Sequence, residues 1–244
     1  DLYAKQDLRG GEPFEPLVEG LIKAFELILS LDPEVYGIML LSLRVSGTAT
    51  VLAALLSIPF GAFIGLREFL GRRLLINVIN TLMGLPPVVV GLVVYLLLSS
   101  RGWLGPLSLL YTPTAMIIAQ LVMCVPITAG ITISSVRSVE KRVVDSAKTM
   151  GATTWQISWT ILSEARTGLL TAVITAFGAA ISEVGAIMIV GGNIQYYTRA
   201  LTTAIVLQTR MGEFGLALAL GIILLALSFA VNLVLTHLQL REVR

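Results

Sequence analysis

Apolar residues in this chain fall into long blocks separated by short polar ones. Five blocks, roughly residues 37–66, 74–98, 113–136, 167–190 and 214–238, reach the ~20 residues that a ~30 Å hydrocarbon slab requires. Ahead of them, FEPLVEGLIKAFELILSL repeats apolar residues at Leu17, Leu21, Ile22, Phe25, Ile28 and Leu29, with Glu15, Glu19, Lys23 and Glu26 elsewhere. That is helical spacing. It predicts an interfacial amphipathic helix within an N-terminal segment of residues 1–36, because a sixth span would carry glutamates into hydrocarbon. Residues 37–244 then form the transmembrane domain, interrupted by a polar excursion at 137–166.

Composition agrees with the pattern. Hydrophobic residues make up 56% of the 244 and charged residues 13%, about half the share usual in soluble domains. The expected class is therefore an all-α membrane protein with five transmembrane helices and one amphipathic helix. A net charge of +2 argues against a nucleic-acid partner, which calls for a concentrated basic face. The single cysteine, Cys124, lies inside an apolar run and excludes an intrachain disulfide. The chain opens on Asp1, and DLYAKQDLRGGEPFEP has no signal-peptide pattern.

Orientation follows from the positive charges. REFLGRR, the group Arg137, Lys141, Arg142, Lys148 and Arg166, and the terminal REVR alternate with segments poorer in lysine and arginine. The positive-inside rule puts the 137–166 excursion and the C-terminus in the cytoplasm, and the 191–213 loop outside.

The excursion contains VVDSAKTMGATTWQISWTILSEARTG. Residues 139–150 have helical composition, Gly151 supplies a left-handed stop, and Thr153 with Gln156 forms a capping-box start. On the second helix Trp155, Trp159 and Leu162 recur on one face. Three uses fit such a segment. It could be a DNA-binding helix-turn-helix, with Ala147, Gly151 and Ile157 in place, although a segment wedged between spans could hardly reach a major groove. It could be a loop with tryptophans at headgroup level, or a docking element whose aromatics anchor a soluble partner.

Asp145-Ser146-Ala147, Gly151 and Ile161 resemble the signature loop of ABC importer permeases, which reads Glu-Ala-Ala, three residues, Gly, nine residues, Ile-x-Leu-Pro. Aspartate and serine replace Glu and Ala here, and Ser163-Glu164 stand for Leu-Pro. The resemblance implies coupling helices, formed by Asp145, Ser146, Ala147, Gly151, Trp155, Trp159 and Ile161, that grip a cytoplasmic ATPase. TLMGLPPVVVGLVVYLLLS with Gly105-Pro106-Leu107, and ISEVGAIMIVGGNI with TRALTTAI, are similar to molybdate and tungstate permeases, most of all to the tungstate form. The likeness implies a type I importer architecture in a prokaryotic inner membrane. Its expected partners are a second copy of the chain, ABC ATPase subunits that carry ATP and Mg, an extracytoplasmic oxyanion-binding protein and membrane lipid; no cofactor is expected in this chain.

Several residues inside the apolar blocks have chemistry of their own. Pro86 and Pro87 remove two amide donors and break a helix, as transporters do along a pathway. Glu183 is the acidic residue well inside a predicted span, and Arg44 lies at a similar depth. A charge there needs a partner or water, so the two are expected to form an ion pair or to face one polar cavity. With Gly185 they are the candidates for a pathway or gate. Outside, Asn193, Thr198, Arg199, Thr202, Thr203 and Arg210 gather donors suited to an oxyanion or to a landing capture protein. His237 has no metal-ligating neighbours and no phosphate-binding glycine loop with lysine is present, so neither a metal site nor catalytic residues are expected. The alternatives are an ABC permease for another small solute and, behind it, an unpowered channel or secondary transporter, which would show an internal repeat or paired ionisable residues.

Overall fold

The computed structural model describes residues 15–30 and 32–241. The start of the N-terminal segment, residues 1–14, lies outside the described residues. Those described form helices and connecting turns, with no strand among them. The elements are α1 (Glu15–Leu29), α2 (Pro33–Leu66), α3 (Arg72–Met83), α4 (Pro87–Leu98), α5 (Pro113–Ser138), α6 (Lys141–Thr149), α7 (Thr154–Glu164), α8 (Arg166–Ile181), α9 (Gly185–Gly191), α10 (Leu201–Met211) and α11 (Phe214–Arg241).

Three of the five expected spans are single helices. Pro33–Leu66, Pro113–Ser138 and Phe214–His237 are each long and apolar enough to cross a membrane. The other two are interrupted. The second, expected over 74–98 with an interruption at Pro86 and Pro87, is split into α3 and α4, which meet at 98°. The fourth, expected over 167–190, stops at Ile181 and resumes as α9 after Ser182–Val184. Hydropathy averages over a window and cannot register a three-residue break.

α2 starts where Asp32 Oδ1 accepts the amides of Glu34 and Val35 at 2.9 and 3.0 Å and Pro33 presets the first turn. Its buried residues include Ser42, Ser46, Ala49, Thr50, Ala53, Ser57 and Gly61, a stripe of small side chains at helical spacing. This stripe lets α2 run close along α5 and α8, the packing mode of helices that share no aqueous hydrophobic drive. α5 is stitched to α8 by Gln120 Nε2, which donates to the Ala180 carbonyl at 2.8 Å.

The amphipathic helix forms as α1 and lies against α11. Ala24 is buried there, with Leu27 and Ile28 packed around it, while Val18, Leu21, Ile22, Phe25 and Leu29 are exposed. The 191–213 loop is corrected in part: it contains α10, whose Leu201, Thr202, Thr203 and Ala204 are buried.

Candidate functional site

The two interruptions pack against each other. After Met83 the chain turns through Gly84 and Leu85; the Pro86 carbonyl then accepts the amides of Val89 and Val90 at 2.9 and 3.3 Å, and α4 begins. Pro87 sits in the first turn, where its missing N–H costs no bond. α4 then lies on α9 so closely that a Cβ on Gly91 would stand 2.6 Å from the Ala186 Cα, and one on Gly185 would stand 2.7 Å from Val88 Cγ2. Val90, Val94 and Leu98 from α4 share one apolar cluster with Ala186, Ile187 and Val190 from α9.

Glu183 explains how α9 restarts. Its Oε1 accepts the Ala186 amide at 2.9 Å and its own carbonyl accepts the Thr202 hydroxyl at 2.9 Å. The first turn of a new helix has amides without intrahelical partners, and in hydrocarbon they must be satisfied within the protein. The carboxylate, 9% exposed, supplies such a partner. The expected Arg44–Glu183 ion pair does not form among the described residues, and the two side chains line different cavities. Glu183 borders one of about 400 Å³ with Pro86, Pro87, Met83, Met123 and Ala179.

Arg44 is exposed on α2 and borders a cavity of about 330 Å³ with Glu34, Pro113, Tyr196, Tyr197 and Arg199. Here Glu34, which sequence reasoning did not single out, gathers the segment before α10. Its Oε1 accepts Gln195 Nε2 at 2.9 Å and Arg199 Nη1 at 3.2 Å, and its Oε2 accepts the Tyr196 hydroxyl at 3.4 Å. Arg199 is therefore held by a carboxylate. The expected hydroxyl donors are also spent: Thr198 donates to the Gly191 carbonyl, Thr202 to that of Glu183 and Thr203 to that of Ala200. Asn193 takes a left-handed φ of 51° beside Gly192 at 72°, which shapes the loop. A side chain's distance in sequence from Glu34 gave no signal of these contacts.

The α6–α7 segment follows its local signals closely. Gly151 has φ 79°, its amide donates to the Lys148 carbonyl and that of Ala152 to Ala147, both at 3.0 Å. Thr153 Oγ1 accepts the Gln156 amide while Gln156 Oε1 accepts the Thr153 amide at 2.7 Å, the full capping box. Ala147 is buried, whereas Asp145 and Ser146 are exposed. Trp155 and Trp159 stand 77% and 67% exposed. Ile161 turns inward with Leu162 onto Ala62, Val136 and Ala165, so the base of α7 is packed and its tip is free. α7 and α8 meet at 56° with only Ala165 between them, and its amide still donates to Ile161 at 2.9 Å.

Thus α8 joins the two features. One end adjoins the exposed tryptophan helix and the other the Glu183 interruption; its 16 residues span ~24 Å at a rise of ~1.5 Å each.

Residues 57–244 match the family described as the binding-protein-dependent transport system inner membrane component. The chain belongs to that family. The permease is 48% identical over 225 residues to the tungstate uptake system permease protein TupB of Peptoclostridium acidaminophilum, covering 92% of this chain and 99% of the relative. It is 35% identical to the protein of the same name in Campylobacter jejuni, over 91% and 92% of the two chains. In fold it is similar to the structure of a bacterial alginate ABC transporter in complex with an alginate-bound periplasmic protein, with a TM-score of 0.73 at 19% identity over 94% of this chain and 88% of that one. The permease is a multi-pass inner-membrane protein with the all-helical architecture expected of an ABC importer subunit.

Proposed function

We propose that the permease is the membrane subunit of an ATP-driven tungstate importer. Two copies form the pathway, separate ATPase chains holding ATP and Mg dock on α6–α7, and a capture protein delivers the oxyanion to the outer loop. Orientation with α6–α7 and the C-terminus in the cytoplasm is supported by the distribution of lysine and arginine.

The observation that carries the mechanism is the continuity from Trp155 and Trp159 through α8 to Glu183. An ATPase that closes on nucleotide moves membrane helices only through a contact too well packed to absorb the displacement. Ile161 and Leu162 pack α7 onto the ends of the bundle, and α8 transmits the motion as one rod. At its far end the α8–α9 break is a hinge. α9 is fastened to α4 through Gly91 and Ala186, so rotation of α8 against α9 alters the cavity by Pro86 and Pro87. Glu183 keeps the α9 amide satisfied while its neighbours turn.

A tetrahedral dianion entering from outside meets Arg44, a guanidinium with no carboxylate bonded to it among the described residues. Tyr196 and Tyr197 border the same cavity and Glu34 keeps Arg199 in place. Arg44 offsets the charge of the passing oxyanion, and the Thr198, Thr202 and Thr203 hydroxyls, spent on backbone carbonyls, add no grip that would hinder its release. Tungstate is favoured as substrate by the extent of identity to the tungstate permeases. Molybdate, of equal charge and shape, is the closest chemical competitor.

The test is reconstitution of the permease with its ATPase in vesicles, with capture protein loaded with tungstate, molybdate or sulfate. ATP hydrolysis rises most with tungstate. Stimulation by an organic solute alone would overturn the assignment.

A further inference from the structure

The end of the bundle that carries α6–α7 holds a basic cleft that the import cycle does not use. Arg72, Arg73 and Arg137 line a space of about 430 Å³ between the α2–α3 turn and the last turn of α5, with Ile76 beside them. Arg72 is fixed: its side chain is 17% exposed and Nη2 donates to the Gly65 carbonyl at 2.8 Å. Its Nε is buried without a hydrogen-bond partner. Arg73 and Arg137 form no ion pair among the described residues. The carboxylate lining the cleft, Glu68, is 95% exposed and stands 3.9 Å from Arg72 Nη1, so three guanidiniums face one solvated counter-charge.

Planar guanidinium forks match phosphate oxygens two at a time. The surroundings decide which phosphate. Phe69 and Leu70 are exposed where they line the cleft, and α2 ends its apolar run at Leu66, which sets the cleft at the edge of the hydrocarbon slab. A free anion has no use for apolar side chains around its site, whereas a phospholipid presents acyl chains to them and its phosphate to the arginines. Basic pockets between membrane helices are known to take anionic headgroups.

We propose that this cleft binds the phosphate of an anionic phospholipid. Arg137 stands in the last turn of α5, and α6 begins at Lys141. A bound headgroup therefore ties the end of α5 to the α2–α3 turn and steadies the base from which the ATPase-docking segment projects. The binding rests on the cleft and the membrane alone, and is independent of which solute the permease carries.

The experiment is native mass spectrometry of the permease purified with its ATPase in detergent, after addition of phosphatidylglycerol or phosphatidylcholine. Wild type retains phosphatidylglycerol and not phosphatidylcholine. The R73Q/R137Q variant retains roughly ten- to thirty-fold less, at about fivefold per arginine, while R101Q outside the cleft behaves as wild type. Should the double variant fail to fold, each single variant is read for its fivefold loss. Equal retention in wild type and variant overturns the proposal. So does binding of tungstate or inorganic phosphate to lipid-free wild type, lost in the variant, with no lipid retained. Loss of the ATPase from the variant with lipid retention unchanged would make the cleft a protein contact, and also overturns it.

Discussion

Gly91 and Ala186 stand so close that even one added carbon on the glycine would fall 2.6 Å from the Ala186 Cα. The contact clamps the helix that follows one break to the helix that follows the other. Gly91→Ala is expected to part α4 from α9 and to lower stability by about 1–3 kcal/mol. Thermal unfolding in detergent measures that loss, and vesicle uptake falls with it while ATPase binding persists.

Trp155 and Trp159 are exposed on a helix whose base is packed. Replacing either by alanine leaves the melting temperature of the isolated permease unchanged. Affinity for the ATPase falls by roughly 2 kcal/mol for each, the loss typical of an aromatic anchor. Surface-bound ATPase titrated with permease in nanodiscs reads this directly, and unchanged affinity would remove the tryptophans from the docking face.

Gly151 takes a φ of 79° with nothing near its missing side chain. An added Cβ meets no neighbouring atom, but the left-handed backbone costs an L residue about 1–2 kcal/mol. Gly151→Val is expected to insert normally and to distort the turn between α6 and α7. Uptake per ATP hydrolysed should drop several-fold; a normal ratio would show that the turn does not set the coupling.

Glu183 acts as a hydrogen-bond acceptor for Ala186, which separates two substitutions. Glu183→Gln keeps an acceptor oxygen and retains uptake. Glu183→Ala leaves a buried amide unpaired, at about 1–3 kcal/mol, and loses both stability and uptake. If glutamine proved as damaging as alanine, the negative charge and not the bond would be what matters.

Arg44 borders the cavity beside Glu34 and Arg199 and forms no ion pair among the described residues. Arg44→Ala should reduce tungstate uptake about tenfold, as expected for one missing charge-assisted contact of ~1.4 kcal/mol, and Arg44→Lys should restore most of it. Equal uptake in all three would place the oxyanion's route elsewhere.

Much of this was legible in local sequence. The α6–turn–α7 segment follows from Gly151 and the Thr153–Gln156 capping box, because a turn and a cap are contacts within a few residues. The breaks were half legible: Pro86 and Pro87 announce one, but Ser182–Val184 contains no proline and no glycine. Glu183 was visible as an acid in an apolar run, and its expected partner was wrong because the amide that satisfies it belongs to its own chain segment and not to a distant cation. Glu34, decisive for the segment before α10, sits in the first turn of α2 and looks from sequence like an ordinary acidic residue favoured by the helix dipole. Its contacts lie 161 to 165 residues away.

By itself the sequence determined the solvent and the local grammar of this protein. Hydrocarbon admits only long apolar runs with their backbone groups satisfied, and composition alone reports that; caps and glycine turns report where helices start and stop. Only the tertiary structure decided that two spans are broken and clamped together, that the threonine hydroxyls are spent on backbone carbonyls, and that α8 links the tryptophans to Glu183. Those are contacts between residues far apart in the chain, and the pattern along one segment holds no record of which distant group will satisfy it.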